Sequence, residues 1–172
     1  MRTGGNSAHG PKVFSILTVT RVTKILPAAE ESADTITLDE TARHRRRTVM
    51  TSDNGIEFLL DLPQARLLRH GEGLLLQDGR IIEVNAAPEK LMKVTGKDAR
   101  HLMALTWQIG NRHLAAQISE THVLIRHDPV IEKMLLGLNA IVEQVEAPFD
   151  PEGGAYQSLA DHSHDHEHNH HD

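Results

Sequence analysis

Near residue 85 the hydrophobic period of this chain changes, and no single layer arrangement accommodates both halves. Upstream, short apolar runs alternate with polar positions and are divided by turn sequences. Downstream, strand-like runs take turns with helical ones. A strand alternates its faces every two residues and a helix repeats near 3.6, so each half dictates its own architecture.

Upstream, residues 13–19 form an apolar run and Thr35-Ile36-Thr37-Leu38 alternates. Residues 47–50 and 56–60 flank Ser52-Asp53-Asn54-Gly55, a hairpin sequence. Residues 74–77 and 80–84 flank Asp78-Gly79, a pair suited to the positive φ angles of a two-residue turn. No helical pattern of useful length interrupts them. Residues 12–85 are therefore expected to form an all-β domain, of a size that can fold alone. A polar leader, residues 1–11, is expected to be disordered.

Asn85-Ala86-Ala87-Pro88 connects the halves. Residues 89–94 read as a strand. Leu102, Leu105 and Ile109 then recur at helical spacing, with Met103 beside them, until Gly110-Asn111 stops the helix in left-handed geometry. Strands over 112–118 and 121–126 follow. A second helix starts with Asp128 as cap and Pro129 at its first position, with a stripe of Val130, Ile131, Met134, Leu135 and Leu138. A strand over 141–145 closes the series. The order β-α-β-β-α-β over residues 86–149 is that of ferredoxin-like domains. The whole is expected to be α+β with two domains, ending in a linker and tail over 150–172.

That tail reads Asp161-His162-Ser163-His164-Asp165-His166-Glu167-His168-Asn169-His170-His171-Asp172. It cannot bury apolar surface, so a packed fold does not explain it, and it is expected to be disordered. Six of the chain's 13 histidines sit there among carboxylates. Neutral imidazole suits nickel, zinc and copper, and ordering a flexible ligand costs about 1–2 kcal/mol per residue, so metals held there exchange readily. There are no cysteines, which excludes disulfides and thiolate ligands.

The net charge of −6 and 3% aromatic content argue against nucleic acid as a partner. No apolar run approaches a membrane span, so a cytoplasmic protein is expected. No His-Glu-x-x-His or comparable catalytic cluster is present, so a metallohydrolase is disfavoured and no enzyme is expected.

Beyond the tail, Trp107-Gln108-Ile109-Gly110-Asn111-Arg112-His113-Leu114 resembles the Gly-Asn-Arg-His segment of the UreE family of urease nickel metallochaperones. The resemblance continues through Leu124-Ile125-Arg126-His127-Asp128-Pro129 and Pro148-Phe149-Asp150-Pro151-Glu152-Gly153-Gly154 to the histidine terminus. Upstream it takes in Arg45-Arg46-Arg47 and the 74–88 hairpin and connector.

The resemblance implies a homodimer joined through the second domain, with His113 of each chain at the two-fold axis sharing one metal. It implies Ni²⁺ as the cargo, with Zn²⁺ or Cu²⁺ competing, and delivery to apo-urease together with the GTPase UreG. No phosphate-binding loop occurs in this chain, so GTP hydrolysis would belong to that partner. The first domain is described in the family as a peptide-binding module, and the basic 43–47 patch is a candidate partner surface.

His127 matches an additional ligand position of some relatives. Those carry a second histidine two residues on, where this chain has Pro129, which leaves His127 either a secondary ligand or a bystander. His162, His164, His166, His168, His170 and His171 complete the candidate ligands. A metal buffer or storage protein is the alternative, since it would need the tail alone. His44, His70, His101 and His122 read as surface, turn, rim and strand residues, and His9 as part of the leader.

Overall fold

The computed structural model describes residues 19–153. The leader, nearly all of the 13–19 run and the histidine tail lie outside the described residues.

The first unit holds β1 (Thr20–Leu26), β2 (Asp34–Leu38), α1 (Glu40–Arg43), β3 (His44–Thr51), β4 (Glu57–Leu67), β5 (Gly73–Leu76) and β6 (Ile81–Ala86). They form one sheet in the order β2-β6-β5-β1-β4-β3. The two expected turns are present, with Gly55 at φ +94° and Gly79 at φ +86°, values that only glycine adopts without strain. Alternation buries Phe58 and Leu60 from β4, Leu74 and Leu76 from β5, and Ile82 and Val84 from β6 in one core.

Two features here differ from the sequence reading. β1 was not expected, because a register shift between Val22 and Lys24 breaks its alternation. A one-turn helix, α1, also interrupts the strands, with Asp39 accepting from Ala42 N at 2.6 Å. It turns Arg43 fully inward, so Arg43 is not part of the exposed basic patch.

The ends of this sheet meet at the β3–β4 turn. Asp53 N–H donates to Thr35 O at 2.8 Å. The Asp53 carboxylate accepts from the Thr35 and Thr37 hydroxyls at 2.6 and 2.8 Å. Buried Asp34 accepts from Ser52 Oγ at 2.5 Å and from the Asn54 side chain at 2.7 Å. The Ser52 hydroxyl, with help from Thr35 and Asn54, holds the Asp34 carboxyl below the usual carboxylate range; the Thr35 hydroxyl does the same for Asp53.

A carboxyl with a depressed folded pKa stabilises the fold above its unfolded value, near 3.9, and loses that contribution as pH falls further. The urea midpoint is therefore expected to drop between pH 7 and pH 3, and to drop less in Asp34→Asn. Equal pH dependence in both proteins would contradict this assignment.

The second unit holds β7 (Pro88–Thr95), α2 (Ala99–Gly110), β8 (Ala116–Ile118), β9 (Val123–Arg126), α3 (Pro129–Gly137) and β10 (Ile141–Pro148). The strand order β10-β7-β9-β8 and the βαββαβ sequence are the expected ferredoxin-like arrangement. Leu102, Leu105 and Ile109 of α2 and Ile131 and Leu135 of α3 pack on Met92, Val94, Val123 and Ile125. Each such side chain contributes about 1.5–3 kcal/mol on burial.

The α3 stripe is narrower than expected. Val130, in the first turn, and Leu138, at the C-cap, are exposed. Among the described residues no helix is long and apolar enough to cross a membrane.

Candidate metal centre

α2 begins at Asp98, whose side chain accepts from His101 N at 2.8 Å. It ends by tightening. Asn111 N–H reaches back four residues to Trp107 O at 3.0 Å. Arg112 and His113 reach back only three, to Ile109 O at 3.1 Å and Gly110 O at 2.9 Å.

The left-handed residue is His113 itself, at φ +56°, and neither Gly110 nor Asn111 has a positive φ. This corrects the expected helix stop: the tightened turn delays the reversal to a residue type that visits this region more readily than most. The reversal also shortens the following strand to Ala116–Ile118 and leaves His113 in the turn. Its side chain is exposed. Arg112 is turned back onto its own helix, donating to Gln108 O at 2.9 Å.

His127 follows β9 and is exposed, with Nε2 3.3 Å from Glu132 Oε2. Asp128 is the helix cap, accepting from Val130 N at 2.8 Å and Ile131 N at 3.0 Å. Ala116 pairs with Ile125 across β8 and β9, so the residue before β8 and the residue after β9 occupy the same end of the sheet. His113 and His127 are thereby brought to one end.

Within one chain, however, no three His, Cys, Asp or Glu side chains among the described residues converge to hold a metal. The six tail histidines lie outside the described residues. A complete site at His113 would need donors from a second chain or from the tail.

Two further residues of α2 lie outside the candidates that the sequence offers. Met103 and Trp107, one turn apart on α2, are 66% and 65% exposed, opposite the buried stripe. The signal was available: large apolar residues four apart on the wrong face of an amphipathic helix. His101 has a rim role. Its Nδ1 accepts from Lys97 N at 3.1 Å, so Nε2 carries the proton it shares with Leu138 O at 3.0 Å.

Two family models match the chain: the UreE urease accessory protein N-terminal domain over residues 19–87, and the C-terminal domain over residues 89–172. The chain is 63% identical over 150 residues to a urease accessory protein UreE of Chelativorans sp. (strain BNC1), covering 87% of this chain and 93% of that protein. It is 47% identical to the UreE of Agrobacterium fabrum (strain C58), covering 84% and 92%. The UreE of Rhodopseudomonas palustris (strain BisB18) is 51% identical over 80% of this chain, a match spanning 65% of that longer protein.

Proposed function

The chain belongs to the UreE family of urease accessory proteins, with a role in urease maturation, and on that premise we propose that it is a nickel metallochaperone. In this reading it collects Ni²⁺ on the histidine tail, holds one ion between the His113 side chains of a homodimer, and passes it to apo-urease in the cytoplasm. It catalyses no reaction itself. Energy for delivery comes from the GTPase UreG, and the first domain, residues 12–85, offers the partner surface. Residues 86–149 form the dimerising, metal-binding domain. Zn²⁺ and Cu²⁺ compete, so selectivity comes from supply and partner.

The observation that carries this reading is the end of α2. An exposed imidazole follows its last turn, and the helix carries an exposed apolar pair, Met103 and Trp107, on a face left largely uncovered by the described residues. Exposed apolar residues of this size are what an isologous contact covers, and a two-fold axis at such a contact doubles every donor near it. One imidazole per chain holds a metal weakly; two facing each other, with tail histidines or water filling the remaining positions, hold it and still let it leave. His127, at the same end of the sheet, is available as a further donor.

The test is to break the contact while sparing the ligand. Met103→Glu together with Trp107→Glu is expected to weaken dimerisation by roughly 30-fold or more, the effect of losing one aromatic anchor. The tight nickel site should disappear with it. Sedimentation equilibrium and nickel dialysis on the same sample check both. A variant that stays dimeric, or a monomer that keeps the tight site, would sink the reading.

A further inference from the structure

Between β10 and the tail runs a short strap whose course no local sequence signal announces. Pro148 ends β10 at one edge of the second sheet, and Glu152 N–H donates to Ala116 O at 2.8 Å in β8, at the other edge. On the way, Phe149 is fully buried against Leu91 and Leu124, and Asp150 N–H donates to Gln117 Oε1 at 2.9 Å. The strap thus crosses the sheet from edge to edge, three strand spacings or ~14 Å.

The first unit holds the strap from its other side. Arg43, with no exposed side-chain surface, donates to Asp150 Oδ1 at 2.7 Å and to Phe149 O, and also to Leu68 O at 2.8 Å within its own unit. Arg69 donates to Pro151 O and lies 3.5 Å from the Asp150 carboxylate. A guanidinium presents several donors in a rigid fork, which suits a strap offering carbonyls and a carboxylate.

The landing point matters because Ala116 lies three residues after His113, at most ~11 Å of chain. From Gly153 to His162 the chain can span at most ~30 Å. We propose that Arg43 and Arg69 are positioning residues that pin the root of the histidine tail at the β8 edge, beside His113. The first unit thereby sets how effectively the tail serves the metal site. This inference rests on the nickel-binding reading of His113 and the tail. Unpinned, the tail starts from Pro148 at the opposite edge on a longer tether, and its effective concentration at His113 falls.

The test uses the full chain and Ni²⁺ alone. Arg69→Met with Gln117→Ala removes the Arg69 contacts from one side of the strap and the Gln117 bond from the other, and leaves Phe149 and Arg43 in place. The pair is introduced into the parent and into a chain whose six tail histidines are asparagine.

Nickel affinity, by equilibrium dialysis, is expected to fall roughly two- to fivefold in the parent background and not at all in the asparagine background. Arg69→Lys, which keeps a donor for Pro151 O, should recover most of that loss. An equal change in both backgrounds means a merely structural role and overturns the proposal, as does no change in either. Failure of the nickel reading looks different: the asparagine-tail chain would bind Ni²⁺ as tightly as the parent before any strap substitution, which also leaves the root nothing to position.

Discussion

Replacing His113 with alanine is expected to weaken the tightest nickel site by roughly 100-fold or more. Removing a partner that merely orients a metal ligand costs 10–100-fold in affinity, about the range seen across metalloproteins. Removing the ligand should cost at least the upper end, and symmetry deletes two imidazoles with one substitution. Alanine tolerates φ +56° less well than histidine does, and that difference must be separated from the loss of the ligand. His113→Asn provides that control, since asparagine tolerates left-handed geometry. The two variants should lose nickel alike, with the asparagine variant the more stable. Titration calorimetry in the asparagine-tail background isolates the site. A buffer relying on the tail alone would show nearly unchanged nickel capacity in the full chain, and that result would favour the alternative over a transfer chaperone.

Arg43→Met should produce the largest loss of stability, about 3–5 kcal/mol. The Arg43 side chain is fully buried, and it bridges α1 to the strap through Asp150, Phe149 O and Leu68 O. Removing the cation leaves the Leu68 and Phe149 carbonyls without that donor, and a part-buried carboxylate with only the longer Arg69 contact. Against a typical total of 5–15 kcal/mol this is a large fraction.

Arg43→Lys keeps the charge but not the fork, so it should fall between the parent and the methionine variant. Arg43→Met combined with Asp150→Leu should recover part of the loss, because replacing both members of a buried pair is far less costly than replacing one. Urea unfolding followed by circular dichroism measures each. A loss below about 1 kcal/mol in Arg43→Met would show that the bridge is not a major determinant of stability.

Arg126 reinforces the same junction. It reaches Glu89 at 3.0 Å and Glu40 at 2.7 Å, with its guanidinium 5.7 Å from the Phe149 ring centroid. Desolvation works against its charge, yet the Glu89 and Glu40 carboxylates outweigh it and its pKa is raised. By sequence, Arg126 belongs to a family motif and Arg43 to a basic patch. In the structure both are spent on joining α1, the second sheet and the strap. The basic surface that remains, Arg45 to Arg47 on the edge strand β3, is smaller than the run of five basic and histidine residues suggested.

What the sequence determined by itself was everything encoded by neighbours in the chain. Asp78-Gly79 specifies its turn because glycine alone accepts the required φ, and Asp128-Pro129 starts α3 because cap and first position are adjacent. Leu102, Leu105 and Ile109 announce the buried face of α2 by spacing alone. Period and capping are local properties, so a local reading recovers them. Alternation failed at β1 for a local reason too, since a bulge shifts its phase.

The tertiary structure alone decided the rest. Whether an arginine is solvated or buried depends on what packs over it, and Arg43 meets Asp150 across 107 positions of sequence. The left-handed turn fell on His113 because the last turn of α2 tightened before the chain could reverse toward β8. The strap's path to Ala116 was set by a core pocket for Phe149 and by two arginines from the other unit, none of which a periodicity can register. Burial and pairing are long-range energies, and they carried the root of the histidine tail to the end of the sheet where His113 stands.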